Sequence, residues 1–334
     1  MARVVEPQSA ASVLAMKASV DSRKVAPRIE PASRPVRGSS RAAAPQAQAA
    51  TSTSSASTST TSAARTRYPI VLVHGLMGFD SILGVDYWYQ IPQALRKAGA
   101  TVLVAQVSAV NGNDVRGEQL LQQLKAWQAA YGYTRFNLIG HSQGGPTVRY
   151  AAGVAPQLVA SVTTVGSPHN IDTSLPADGI MSVLVSQPQL FNTLGAFIDW
   201  LSGASQLPQD ASALLAWAQN TAAFNARFPA GAPTTDCGQG PERADNGVYY
   251  YSVAGNAPKT NAWDPSDALF KPMTVPSDGL VTVCAAHWGR VLRDDYPWNH
   301  LDEVNQVFGL IGQGAPDPVA FYVQQASRLK GKGL

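Results

Sequence analysis

A chain of 334 residues with 45% hydrophobic and 14% charged side chains is long and apolar enough to bury a large core, as one big α/β domain or two smaller ones. No apolar run is long enough to cross a bilayer, and two cysteines with no histidine at ligand spacing near Cys237 exclude a four-ligand zinc site. The net charge of +3 is unevenly spread: residues 1–67 hold ten basic and three acidic side chains, so the remainder is acidic.

Residues 1–66 are rich in Ala, Ser, Thr and Pro, contain no aromatic side chain, and include a run from Ala49 to Ala64 built only from Ala, Thr and Ser. Such a segment cannot bury enough apolar surface to fold and reads as a disordered basic leader or linker. Its scattered arginines read as solvated, so no nucleic-acid partner is expected. The stretch Ala10–Met16, preceded by Glu6 and interrupted by Ser12, makes a poor secretory signal.

From Tyr68 the pattern changes. Tyr68–Val73 predicts a buried strand running into His74-Gly75-Leu76, Tyr89–Ala98 a helix, and Ala100–Val107 the next strand. Asp114–Tyr131 carries Leu120, Leu121, Leu124 and Trp127 on one helical face. Phe136–Ile139 is a short apolar strand that leads through Gly140-His141-Ser142-Gln143-Gly144 into a helix with Pro146 near its start, and Leu158–Val165 predicts a further strand. This alternation implies right-handed βαβ units and a mostly parallel sheet covered on both faces. Residues 178–228 break it with helical segments carrying many large apolar residues, among them Met181, Leu184, Leu190, Phe191, Leu194, Phe197, Trp200, Leu214 and Trp217. They stand where a lid over the carboxyl ends of the strands would be inserted. Tyr249–Ala254 and Leu280–Val283 predict later strands and Leu301–Leu310 a final helix.

The chemistry centres on Ser142. A serine between Gly140 and Gly144, after a buried strand and before a helix, is how an α/β-hydrolase presents a nucleophile, because side chains at the two glycines would collide with neighbouring backbone. The hydroxyl needs a histidine base, and that base an acid to hold its tautomer. The chain order Ser, acid, His removes His74 and His141 and leaves His169, His287 and His300; the position of His300 in a turn, Asp294–Asn299, just before the last helix pattern makes it the preferred base. Asp264, Asp267 and Asp278 remain open as the acid, since any Asp in a turn can simply bond its own backbone. The amides of Gln143, which follows the serine, and of Leu76, on the loop after the first strand, are the natural oxyanion donors. Cys237 and Cys284 are either separate buried thiols or a disulfide closing a loop of about 48 residues, worth about 4 kcal/mol in the chain-entropy model and implying an oxidising compartment.

The runs Tyr68–Gly75, Ile82–Trp88, Val115–Leu121, Gly140–Pro146 and Asn299–Gly309 resemble the secreted true lipases of Pseudomonas and Burkholderia. The resemblance spans residues 67–334 and implies an α/β-hydrolase catalytic domain acting on long-chain acylglycerols at an oil-water interface. A short-chain esterase or polyester depolymerase is the alternative. It implies the triad Ser142, Asp278 and His300, and one structural calcium ion (Ca2+) held by Asp264, Asp302 and the carbonyls of Gln306 and Leu310. It also implies a Cys237–Cys284 disulfide, folding assisted by a dedicated foldase chaperone, secretion, and a monomer. The leader departs from the pattern, since a secreted lipase should begin with a recognisable signal.

Overall fold

The computed structural model describes residues 62–79, 81–82, 85–171, 185–203, 207–264, 267, 270 and 272–334. The reading of the N-terminal tail therefore lies outside the described residues, except at its end. Residues 62–66 are seated on the domain: Ala64 is fully buried and its N–H donates to the Ala98 carbonyl at 2.8 Å, while Lys330 Nζ donates to the Ser62 carbonyl at 2.7 Å.

Six strands form one parallel sheet: β1 (Ile70–Val73), β4 (Val102–Ala105), β5 (Phe136–His141), β6 (Val159–Val165), β7 (Tyr249–Gly255) and β8 (Arg290–Tyr296), in the order β4-β1-β5-β6-β7-β8. A two-stranded ribbon, β2 (Ser81–Ile82) with β3 (Val85–Asp86), lies apart from it. Strands β1, β5 and β6 are buried along their whole length, because helices cover both faces. The two-residue period sorts their side chains. Val71 and Val73 join Leu138 against helix α2 (Asn113–Tyr131) and helix α3 (Gly144–Val154). Ile70, Leu72 and Ile139 face α1 (Ile91–Lys97) and α7 (Pro318–Gly331) instead. The predicted stripe Leu120, Leu121, Leu124 and Trp127 is buried as a unit, and α2 ends at Gly132 in the left-handed conformation (φ 72°).

The insertion predicted at 178–228 is helical where described: α4 (Pro188–Leu201), α5 (Ala211–Ala218) and α6 (Thr221–Arg227). Met181 and Leu184 lie outside the described residues. Asp210 and Asn220 cap α5 and α6 with their side-chain oxygens. Helix α4 buries Phe191 against Val110, Leu214 and the loop of Leu76 and Met77, and leaves Leu190, Leu194 and Phe197 exposed.

Three predictions fail in the C-terminal third. Leu280–Val283 is no strand: Ser277 and Thr282 form an isolated bridge around a turn, and a short 3-10 turn, Cys284–Ala286, follows. Leu301–Leu310 is not a helix but a 3-10 turn, Asp302–Val304, broken by left-handed Asn305 and Phe308 and with a cis Gln306–Val307 peptide. Strand β8 covers Asp294–Tyr296, read from the sequence as a turn, because its polar residues lie on an edge strand with one half-solvated face. The true last helix is α7, started by Asp317, whose carboxylate accepts from the Val319 N–H, with Pro318 at its first turn.

Candidate active site

Strand β5 delivers Ser142 to the carboxyl edge of the sheet at a sharp corner. Its φ of 53° is unusual for a side-chain-bearing residue, and such strain persists only where surrounding bonds over-determine it. The Ser142 N–H donates to the Val165 carbonyl at 2.9 Å, and the Gly145 N–H returns to the Ser142 carbonyl at 3.0 Å. The flanking glycines have the steric reason expected of them. A Cβ at Gly140 would lie 2.3 Å from the Gly144 carbonyl oxygen, and one at Gly144 would lie 2.2 Å from that of Val73.

His300 and Asp278, the base and acid that the resemblance implies, lie in contact. His300 Nδ1 lies 2.7 Å from Asp278 Oδ2, and the His300 N–H donates to the Asp278 carbonyl at 3.0 Å. The other carboxylate oxygen of Asp278 accepts from the N–H groups of Leu280 and Val281 at 2.8 and 2.6 Å. The segment misread as a strand is thus the turn that grips the Asp278 carboxylate. With Nδ1–H directed at Asp278, the second ring nitrogen of His300 is left as an acceptor. His141, bonded to Ser142 in the chain, lies against His300 with ring centroids 4.6 Å apart.

Gly75 brings the loop after β1 against the serine: a Cβ there would sit 2.6 Å from Ser142 Cβ and 3.1 Å from Oγ. Leu76 follows in that loop. Gln143 precedes the first turn of α3, where backbone N–H groups have no intrahelical acceptor. Arg116, fully buried, ties the loop down by donating from Nη2 to the His74 carbonyl at 2.5 Å and from Nε to Thr147 Oγ1 at 3.2 Å.

The other candidates are engaged elsewhere. His169 pairs with Arg149 Nη1 at 3.1 Å and Thr164 Oγ1 at 3.1 Å, and His287 with Asp294 Oδ2 at 3.0 Å. Asp267 accepts from the N–H groups of Thr260 and Asn261 at 2.9 Å each and from Asn299 Nδ2 at 2.9 Å. Cys237 and Cys284 form a disulfide with Cα atoms 4.5 Å apart.

Asp264 and Asp302 are both buried, on loops that Thr260 and Asn261 join to the segment after His300. Thr260 Oγ1 donates to Asp302 Oδ2 at 2.8 Å, and Asn261 Nδ2 donates to the Ile311 carbonyl at 3.0 Å. Asp302 Oδ1 has no hydrogen-bond partner among the described residues. Burial, with added repulsion from Asp264 and Asp267, pushes the Asp302 carboxyl up to about 7. Buried carboxylates crowded in this way are the hard oxygen donors that suit a calcium ion. Gln306 and Leu310 occupy the same loop; the Gln306 side chain donates to the Asp86 carbonyl at 2.7 Å.

Sequence reasoning missed Glu303, Tyr87 and the part played by His141. Glu303 is fully buried, accepts from the Gly255 N–H at 2.7 Å, and lies 3.2 Å from His141 Nε2 and 3.9 Å from His300 Nδ1. Burial and the nearby Asp278 charge hold its carboxyl well above the usual range. Only its position next to Asp302 in the Asn299–Gly309 run could have drawn attention to it.

A family model of the alpha/beta hydrolase fold matches residues 68–278. A triacylglycerol lipase of Vibrio cholerae is 48% identical over 283 residues, covering 81% of this chain and 90% of that protein. One from Pseudomonas fragi is 40% identical, covering 80% and 98%, and one from Burkholderia plantarii 39% identical, covering 81% and 88%. With a strained serine corner, a buried His–Asp pair and relatives of this extent, the chain belongs to the bacterial triacylglycerol lipases of the α/β-hydrolase fold.

Proposed function

We propose that this chain hydrolyses the carboxylic ester bonds of long-chain acylglycerols through an acyl-enzyme on Ser142. The observation that carries the reading is the strained Ser142 corner, whose chain neighbour His141 packs on a His300 held by Asp278. In the first step His300 takes the Ser142 proton as Oγ bonds to the substrate carbonyl carbon. Asp278 stays ionised and stabilises the imidazolium so formed. The oxyanion is met by the N–H groups of Leu76 and Gln143; collapse expels the alcohol, which takes its proton from His300. Water, deprotonated by His300, then attacks the acyl group, and the fatty acid leaves with Ser142 regenerated.

Asp264, Asp302 and the carbonyls of Gln306 and Leu310 would hold a structural calcium ion, which supplies charge neutralisation between the two loops rather than chemistry on the ester. Helices α4 to α6 serve as the lid: α4 packs Phe191 over the Leu76 loop while turning Leu190 and Leu194 outward, a surface suited to an oil-water interface. The disulfide supports maturation in an oxidising compartment, as a secreted protein would have; foldase assistance and a monomeric state belong to the same reading through the resemblance alone. No helix among the described residues is long and apolar enough to cross a membrane.

The test is hydrolysis of emulsified trioleoylglycerol. Ser142→Ala should abolish it and an organophosphonate should label Ser142 in the parent protein; a fully active Ser142→Ala variant would refute the mechanism. A preference for dissolved short-chain esters, with no rise in activity at the interface, would select the esterase alternative.

A further inference from the structure

The two histidines that chain order removes as bases, His74 and His141, flank the site and are both fully buried. Their partners fix their tautomers. His141 Nε2 lies 3.0 Å from the His300 carbonyl oxygen, which can only accept, so the proton resides on Nε2. Its Nδ1 is then an acceptor for the Tyr87 hydroxyl at 2.6 Å, and the Tyr87 oxygen in turn receives the Gly75 N–H at 3.3 Å. His74 follows the same logic. Its Nδ1 lies 2.9 Å from the Gly75 carbonyl oxygen and must donate, while its Nε2 receives the Val107 N–H at 3.4 Å.

These bonds account for the polar groups of two consecutive peptide units. The His74 carbonyl is taken by Arg116, the Gly75 N–H by Tyr87, and the Gly75 carbonyl by His74 at 2.9 Å and, more loosely, by the Gly78 N–H at 3.3 Å. The fourth group is the Leu76 N–H, for which no acceptor occurs among the described residues. It belongs to the same peptide as the Gly75 carbonyl, so a hydrogen bond accepted by that carbonyl polarises this N–H. The chain from Gly75 through Tyr87 and His141 ends on the backbone of His300. One imidazole thereby ties the loop of the oxyanion donor to the loop of the base.

We propose that His74, His141 and Tyr87 are positioning residues for the oxyanion amide, fixing the Gly75–Leu76 peptide and locking its orientation to that of His300. The proposal rests on the reading of Ser142 as nucleophile and the Leu76 N–H as a donor to the oxyanion. Both imidazoles stay neutral through the reaction. Desolvation, then Arg116, lowers His74 to about 3, and desolvation, then His300, holds His141 well below the usual histidine range. The network therefore holds its hydrogen-bond directions while His300 gains and loses its proton.

Tyr87→Phe tests this by removing one hydroxyl while keeping the ring, which packs edge-on to Trp88 and Phe79 with centroids 5.6 and 5.8 Å away. On a soluble p-nitrophenyl ester kcat should fall by roughly 10- to 100-fold, short of the loss of a whole oxyanion donor, with KM within about twofold of the parent. Affinity for a boronic acid that forms a tetrahedral adduct on Ser142 should fall by the same factor, and the inflection of the pH profile should stay in place. His74 gives an independent pair. His74→Asn keeps an N–H donor toward the Gly75 carbonyl and should retain about tenfold more activity than His74→Leu, whereas a purely apolar packing role predicts the reverse. A folded Tyr87→Phe with parental kcat and boronate affinity would overturn the proposal. If that variant does not fold, equal activity in the two His74 variants does so. Failure of the parent protein to react with an organophosphonate at Ser142 would instead refute the underlying mechanism.

Discussion

Gly144→Ala puts the geometry of the serine corner to a direct test. The new Cβ would stand 2.2 Å from the Val73 carbonyl oxygen and 2.9 Å from that of His74. Both neighbours are backbone, so neither can rotate away, and restoring ordinary contact requires roughly 1 Å of movement between α3 and the end of β1. Overpacking of a buried site on this scale costs about 1–3 kcal/mol of stability. The functional loss should be larger. Val73 and His74 lead straight into the Gly75–Leu76 loop, and a 1 Å misplacement of catalytic groups costs on the order of 100-fold in rate. Gly132→Ala is the control: Gly132 has φ of 72° with nothing within 4 Å of its Cβ position, so it should lose about 1–2 kcal/mol from backbone strain alone and keep full kcat. Thermal melts with tributyrin hydrolysis and phosphonate labelling of Ser142 separate the two. If Gly144→Ala retains parental kcat, or if both variants lose activity in proportion to stability, the close approach of α3 to β1 is not what positions the oxyanion loop.

Three further outcomes are expected. Replacing Cys237 and Cys284 with serine should destabilise the fold by about 4 kcal/mol through the denatured chain, read as a fall in melting temperature that dithiothreitol reproduces on the parent and not on the variant. Excess EDTA should lower the melting temperature and added calcium restore it, with Asp302→Asn abolishing the response; a melt insensitive to chelator refutes the calcium site. Asp199, buried on α4 and hydrogen-bonded by Gln209 Nε2, has its carboxyl pushed up to about 7, mainly by desolvation. Because the folded state then binds the proton more tightly than the unfolded one, stability should decline as pH rises from about 4 to about 7 and level off above. Asp199→Asn should remove that part of the slope in urea titrations, by at most on the order of 4 kcal/mol.

Much of the fold was legible because local rules and tertiary context agree in the first two thirds. Strands β1, β5 and β6 are buried throughout because both faces are covered, which is why each carries an apolar run, and the stripe on α2 has the period of the helix it forms. The serine corner was legible for a harder reason. Only glycine can stand where a Cβ would meet backbone at 2.3 or 2.2 Å, so Gly140 and Gly144 record a tertiary contact in the sequence itself. The C-terminal third misled because its residues serve partners far away in the chain. Leu280 and Val281 carry strand-like side chains, yet their N–H groups go to the Asp278 carboxylate rather than to a ladder. Leu301–Leu310 has a helix-like pattern, but its buried acids, Asp302 and Glu303, bond Thr260 and Gly255 some forty residues or more away.

By itself, then, the chain determined the reaction type, the glycine-flanked serine corner and the alternation of strands and helices, since each depends on residues close together or on steric demands that one residue type satisfies. That Asp278 rather than Asp264 or Asp267 touches His300, that Cys237 and Cys284 are bonded rather than separate thiols, and which groups His74 and His141 contact could not be read from the spacing of residues and are seen only in the tertiary structure. A hydrogen bond is decided by distance and direction in space, and neither is written in the spacing along a chain.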